Sequence, residues 1–313
     1  MEILEVDANT YNKSIKTFSL FTSANFAILN QKKVETLYFL LFKDSKVRLG
    51  IILGLIQNEL HSPFSSPYGG FSFVELDCKA KIIDQAISIF NDWIIKKRIS
   101  KVKIVQPPIH YNIQFQTRLT NGLRNNSFEI EQLDINHHFK VPLGSFENIY
   151  IKLIKSNARK NLNNSLKKGL TFLKLNEQEY KRAYEVITIN RLEKQKPLRM
   201  SLDQILELTS LTQVDFFIVK DQNHDVASAI VFHLNAELVQ VVYWGDNPNF
   251  YELRVMNFLT FNLFKYYSLN GIQTIDIGIS TENSIPNYGL CEFKESIGCE
   301  ISLKHTFVKE YSY

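Results

Sequence analysis

The sequence predicts an α/β fold of mixed sheets and helices (α+β mixed sheets), divided into two domains. Three observations predict it. The run 238–298 reads as strand, polar loop, long helix, strand, polar loop, short helix. Ahead of it, the strand-sized runs 214–220, 226–234 and 238–244 are joined by short polar turns, as in a meander. At 313 residues, 45% hydrophobic and 22% charged, the chain has material for about two cores.

In chain order, residues 36–42 and 48–56 read as strands joined by a hairpin turn at Lys43-Asp44-Ser45-Lys46. The segment 61–71 carries two prolines and a Gly-Gly pair, which marks a shaped loop. That loop reads either as a connector or as a substrate lining that presents Tyr68 and open backbone N–H groups at Gly69 and Gly70. Residues 77–98 form an amphipathic helix with a wide apolar stripe that includes Ile83, Ile87, Phe90 and Ile94. Strands are expected at 101–105 and 138–141, with a helix over 111–120 between them. His137 and His138 are neighbours, so on a strand they face opposite ways and read as structural.

Pro142-Leu143-Gly144-Ser145 marks the boundary between domains 1–143 and 144–313. Helices follow at 146–154 and 157–166; the second carries Arg159 and Lys160 and runs on into Lys167 and Lys168. This basic helix reads as a solvated face or as an anion contact. A strand at 170–175, helices at 177–190 and 202–211, and the meander lead into the opening run. There, Gly245-Asp246-Asn247-Pro248 breaks the strand, and the helix 250–269 is apolar almost all round, as expected of a helix covered on several faces. Asp276 is the one carboxylate on the apolar strand 272–279, and 300–308 closes the chain as a strand. Its burial there requires a partner, which makes it a base or water orienter, or an acceptor for loop N–H groups. No internal repeat is visible.

Bulk properties narrow the partners. A net charge of +4 favours anionic ligands but is too small to indicate DNA. Three cysteines without pairwise or metal-ligand spacing suggest reduced thiols in the cytoplasm and no metal site. The first ten residues lack the apolar core of a signal peptide, and no apolar run reaches the ~18–20 residues that span a bilayer.

Several stretches together resemble a known family. They are Ser62-Pro63 with Tyr68-Gly69-Gly70, the helix Asn157-Ala158-Arg159-Lys160-Asn161-Leu162, Asp276-Ile277-Gly278, and Asn287-Tyr288-Gly289-Leu290-Cys291-Glu292-Phe293-Lys294. Their order resembles that of GNAT-fold acyltransferases of the FemAB-like group, related to the peptidoglycan-bridge aminoacyltransferases. The resemblance implies two tandem GNAT-like domains, the first degenerate and binding the acceptor, the second holding the acyl-donor site. It implies Lys294 as a cation that stabilises the tetrahedral oxyanion and Tyr288 as the acid for the leaving group. Read without it, Lys294 is a surface lysine paired with Glu292 or Glu295, and Tyr288 a packing residue. Tyr243, Trp244, Arg254, Asn287 and Phe293 would contact the donor, and Tyr68, Gly69, Gly70 and Arg159 the acceptor.

One departure concerns the donor. GNAT enzymes use a glycine-rich loop before the long helix to expose N–H groups to pyrophosphate. Here the loop 245–254 has one glycine, and Asp246 and Glu252 repel phosphate, with Arg254 a partial compensation. Three functions are therefore expected in order: an N-acyltransferase moving an acyl group from an acyl-CoA co-substrate to an amine of a sugar, nucleotide-sugar or cell-envelope precursor; an aminoacyl-tRNA-dependent transferase on peptidoglycan precursors; and a non-catalytic binding protein on the same scaffold. No tightly bound cofactor is expected, and tRNA is the less favoured partner.

Overall fold

The computed structural model describes residues 1–16, 19–75 and 78–313. In chain order the elements are β1 Glu2–Val6, α1 Ala8–Ser14, α2 Ala24–Leu29, β2 Thr36–Lys43, β3 Val47–Ile56, β4 Glu59–Ser62, β5 Phe71–Phe73, α3 Ala80–Lys97, β6 Lys101–Val105, α4 Ile113–Asn125 and β7 Glu129–Lys140. They continue as α5 Phe146–Leu153, α6 Ser156–Leu166, β8 Thr171–Lys174, α7 Tyr180–Glu193, α8 Leu202–Leu208, β9 Val214–Asp221, β10 His224–His233 and β11 Leu238–Asp246. The chain closes with α9 Val255–Leu269, β12 Thr274–Ile279, β13 Thr281–Glu282, β14 Ile285–Pro286, α10 Tyr288–Ser296 and β15 Glu300–Glu310. The expected start of the third helix, Asp77, lies outside the described residues.

Two compact units emerge: residues 1–135, 281–285 and 302–313, and residues 136–280 and 286–301. They differ from the contiguous segments 1–143 and 144–313 that the sequence suggested, and the strand pairing gives the reason. In the first unit, β4 runs parallel to β6, and β6 pairs antiparallel with β15 from the far end of the chain. In the second, β11 runs parallel to β12, and β12 pairs antiparallel with β7. The strand that follows each half of the sequence thus completes the sheet of the other half. Each unit repeats one plan: an antiparallel meander, a parallel step across a long helix, α3 or α9, and a closing antiparallel strand. This is an internal repeat of topology that leaves no trace in the sequence.

Most expected elements form, with informative differences. β7 covers twelve residues where a short strand at 138–141 was expected. Its first half is polar, and Glu131 pairs with Lys103 at 2.5 Å on the first unit's sheet. The β3–β4 turn places Gln57 and Asn58 both at positive φ, 49° and 63°. This is the backbone of a two-residue hairpin, and its polar residues carried no glycine signal. The expected helix 250–269 splits: a 3₁₀ segment Pro248–Leu253 ends on Arg254 in the left-handed region, φ 53°, and α9 starts only at Val255.

In the second unit, α9 buries residues on all sides, including Val255, Leu259, Leu263, Phe264 and Tyr267, and packs on α5, α6, β10 and β11. Phe139 of β7 stacks on Phe264 with ring centroids 4.3 Å apart. The opposite face of the meander is covered by α7: Ser228, which alternates with the core residues Ala227 and Ala229, donates to the Ala183 carbonyl at 2.9 Å. At the end of β11, Asn190 of α7 comes so close to Gly245 that an added Cβ would sit 2.4 Å from its Cγ. Gly245→Ala should therefore lower unfolding stability by about 1–3 kcal/mol, read by urea denaturation, because Asn190 is held by hydrogen bonds to Asp246 and cannot swing away freely.

Candidate functional site in the second unit

The site begins where two parallel strands part. β11 and β12 pair from Leu238–Thr274 to Gln240–Asp276 and no further, although β11 continues to Asp246. A bulge in the β10–β11 ladder, between the pairs Ile230–Tyr243 and Val231–Val241, leaves one extra residue, Val242, on β11. The bulge changes the facing of the strand beyond it. Tyr243 turns toward α7, whose Arg191 lies over its ring, and its hydroxyl accepts the N–H of Met200, just ahead of α8, at 3.2 Å. Trp244 turns the other way and meets Phe293 of α10, with ring centroids 6.0 Å apart. The two aromatics expected to line one acyl pocket therefore lie on opposite faces.

β12 is held open by its own carboxylate. Asp276 is fully buried; its Oδ1 accepts the Gly278 N–H at 2.6 Å and its Oδ2 accepts from Asn136 Nδ2 at 3.2 Å. Gly278 sits at φ +74°, a conformation glycine adopts without steric penalty, and the β7–β12 ladder shifts register between Asp276 and Ile279. Of the alternatives for Asp276, these contacts are those of an acceptor for loop N–H groups.

The carbonyls that this bend exposes receive Lys294. Lys294 is only 2% exposed, and its Nζ donates to the carbonyl oxygens of Gly278 and Ile279, both at 2.9 Å. The surface ion pair with Glu292 or Glu295 is thus not formed; Glu295 faces Lys155 instead, at 3.5 Å. An ammonium has three donors, and two are engaged, which leaves one N–H for a further acceptor. Burial lowers its pKa to about 8, with Asp276 opposing the shift and Arg191 adding to it. His137 is fully buried next to this group; its Nδ1 pairs with Ser280 Oγ at 3.0 Å. Burial, with Lys294 and His138 assisting, lowers its pKa to about 4, so it is neutral at pH 7.

Lys294 makes the stability of the fold depend on pH. Between pH about 8 and about 10.5 the unfolded chain holds the lysine proton and the folded chain has lost it. Raising pH through that window therefore stabilises the fold through this residue, and the gain should vanish in Lys294→Met. Urea midpoints of both proteins at pH 8 and 10 check it.

The remaining expected site residues fall as follows. Tyr288 opens α10 at 74% exposure. Asn287 caps that helix, its Oδ1 accepting the Leu290 N–H at 3.0 Å, and is thereby engaged within the protein. Phe293 is half-buried against the core. Arg254 is exposed and lies over the Tyr251 ring, 4.4 Å from its centroid. Arg159 of α6 donates to the carbonyl of Ile154, at the end of α5, at 3.2 Å. In the first unit, the loop 61–71 does not offer open donors. Tyr68 is buried and donates to Ser19 Oγ at 2.9 Å; the Gly69 N–H goes to the Val105 carbonyl at 2.8 Å and the Gly70 N–H to Ser62 Oγ at 2.9 Å. The small cavity lined by Ser62, Phe64, Gly69 and Gly70, about 20 Å³, is water-sized. In that loop, packing has used the groups the sequence left available.

Sequence reasoning missed Asn136, Ser280, Gln240 and Arg191. Each lies on an element whose local pattern is ordinary, and only the register brings them to the strand ends. Among the described residues, no group of three or more His, Cys, Asp or Glu side chains is placed to hold a metal, and no helix is long and apolar enough to cross a membrane.

Solved structures share this architecture over its whole length. FemX superposes with a TM-score of 0.70 at 12% identity, over 99% of this chain and 98% of its own. L-PGS from Bacillus licheniformis does so with a TM-score of 0.62 at 12% identity, over 98% and 92%. A tandem GNAT protein from the clavulanic acid biosynthesis pathway gives 0.56 at 7% identity, over 100% and 99%. The chain therefore has the mixed α/β tandem GNAT fold that these proteins share, the FemX-like arrangement included. No protein-family model and no curated protein matches it in sequence.

Proposed function

We propose that the chain is an N-acyltransferase that moves an acyl group from an acyl-CoA-type donor to an amine of a sugar or cell-envelope precursor, with the chemistry at the parted ends of β11 and β12. The observation that carries this reading is Lys294: a buried cation, fixed by two carbonyls, with one N–H left over. Such a preorganised donor in a water-poor site suits a developing oxyanion. In the reaction the amine nitrogen attacks the thioester carbonyl carbon, and the carbonyl oxygen takes up negative charge within reach of Lys294 Nζ. Collapse of the intermediate makes the C–N bond permanent and breaks C–S. The proton lost by the amine balances the one taken up by the thiolate.

The donor end has two features in its favour. α9 carries no acidic residue in its first turn, so its positive dipole end is not neutralised by its own side chains. Asp246, an expected repulsive group, is turned toward α7, where it accepts from Asn190 Nδ2 at 3.0 Å and lies 3.8 Å from Lys194 Nζ. A carboxylate so engaged opposes phosphate less than the sequence suggested. The family resemblance, together with the fold shared with FemX and L-PGS, favours a cell-envelope acceptor in this reading.

Thiol release from acetyl-CoA and longer acyl-CoAs, with amino-sugar and UDP-amino-sugar acceptors, tests the reading. Amine-dependent release by the wild type is expected. A wild type that neither releases thiol nor is thermally stabilised by any CoA ester would refute the proposal, because a ligand of the native state must raise the midpoint.

A further inference from the structure

Arg191 stands in the last turn of α7 on the same side of the sheet as Tyr243. Its guanidinium lies over the Tyr243 ring, 5.6 Å from the centroid, and its Nε is buried without a hydrogen-bond partner in the protein. Among the described residues no carboxylate forms an ion pair with it. Burial pulls its pKa down, against the opposing effect of Tyr243. Among the described residues, no carboxylate acts on Arg191 electrostatically. Arg199 is exposed and also acts on Tyr243 as a cation, and Lys294 carries a second positive charge. Gln240, three residues before Tyr243 on β11, buries its Oε1 without a partner.

A half-buried guanidinium with no counter-charge is unfavourable unless a ligand supplies one. Its planar fork matches a carboxylate in bidentate geometry, and its stacking on an aromatic ring fixes the plane of approach. The Tyr243 hydroxyl accepts from Met200, which leaves its own proton to donate to the same anion. Arg199 is exposed and screened by water, and Lys294 is engaged by two carbonyls, so among the described residues beside Tyr243 it is Arg191 that offers a desolvated fork. One such fork matches a monoanion better than a phosphate dianion.

From this geometry we infer that Arg191, with the Tyr243 hydroxyl, binds a carboxylate of the substrate, so that the substrate is an amino-acid- or peptide-bearing molecule with a free carboxyl group. The inference rests on the proposed reading of the site but concerns recognition, and its test needs no turnover. The probes are N-acetylglycine, its uncharged counterpart N-acetylglycinamide, and methyl phosphate, titrated without donor and followed by ligand-observed NMR. The proteins are the wild type, Arg191→Gln, Arg191→Lys and Arg199→Gln, each checked for folding by circular dichroism.

The wild type should bind the acid about tenfold or more tightly than the amide, the size of a charge-assisted bidentate contact. Arg191→Gln should abolish that preference, Arg191→Lys should retain part of it, and Arg199→Gln should retain most of it. Equal binding of acid and amide by the wild type overturns the inference, as does failure to bind either. So does an undiminished preference in Arg191→Gln, or tighter binding of methyl phosphate than of N-acetylglycine. A wild type that shows no carboxylate preference yet carries out acyl transfer refutes only the recognition role; a wild type that shows the preference without thiol release refutes only the chemistry.

Discussion

If the proposed chemistry holds, replacing Lys294 by methionine should lower the acyl-transfer rate by about 10²–10³-fold, the usual effect of removing one oxyanion donor. Methionine keeps most of the volume of a side chain that is 2% exposed, so no large cavity opens. Two opposing terms act on stability. The carbonyls of Gly278 and Ile279 lose their donor, and a buried charge is removed. The thermal midpoint should therefore move little, which separates lost chemistry from lost folding. The pH dependence supplies a second readout. In the proposed mechanism the protonated lysine is the active form, and burial lowers its pKa to about 8, so a rate measured with the acceptor amine held saturating should lose the Lys294 contribution above that pH. In Lys294→Met this alkaline decline should be absent. A rate within a few-fold of the wild type would remove Lys294 from the mechanism.

Asp215→Ala is expected to produce the largest loss of stability, about 3–5 kcal/mol, because it breaks a buried charge network by removing its centre. Asp215 is 1% exposed. Its Oδ1 meets Lys174 Nζ at 2.6 Å and Gln213 Nε2 at 2.9 Å; its Oδ2 meets His233 Nε2 at 2.7 Å and the Tyr267 hydroxyl at 2.9 Å. The carboxylate thus joins β8, β9, β10 and the end of α9. Burial alone would raise its pKa, but the hydrogen bonds from His233, Lys174 and Gln213 prevail and hold it well below the usual carboxylate range. A folded-state pKa depressed in this way contributes stability above the unfolded value, near 4, and loses it as pH falls through the folded value. Urea denaturation at pH 7 and pH 3 should show the difference between wild type and Asp215→Ala narrowing at the lower pH. An unchanged midpoint at pH 7 would contradict this account of the network.

Much of the second unit was legible locally. The meander, the apolar helix α9 and the strand carrying Asp276 follow from periods of 2 and 3.6 and from glycine and proline punctuation, all of them short-range signals. The capping role of Asn287 and the burial of Asp276 were within reach of the same reasoning. What escaped was set by register. The polar half of β7 does not alternate cleanly, because its partners include charged groups such as Lys103. The exchange of closing strands depends on pairings between residues more than a hundred positions apart, such as Asp276 with His138, and no local pattern encodes them.

The same limit applies to the site. Tyr68, Gly69 and Gly70 carry residue types that offer donors, yet distant neighbours, Ser19 and Val105 among them, consume those donors. His233 looked like an ordinary half-buried strand residue, and it proves to be a partner of Asp215. Arg191 is one basic residue at a helix end, where cations are common for reasons of the dipole. Only its lack of an ion pair among the described residues, a fact of packing, sets it apart. The family resemblance drew attention to Lys294, but its two carbonyl anchors depend on the bend at Gly278, which no local pattern announces.

The central claim, that the parted strands β11 and β12 and the start of α9 receive an acyl-CoA, is tested most directly by hydrogen–deuterium exchange with and without acetyl-CoA and a longer acyl-CoA. The account predicts slower exchange in residues 241–246 and 255–259 of the second unit, with little change at the loop 61–71. Unaltered exchange in both segments at saturating ester, or protection confined to the first unit, would contradict it.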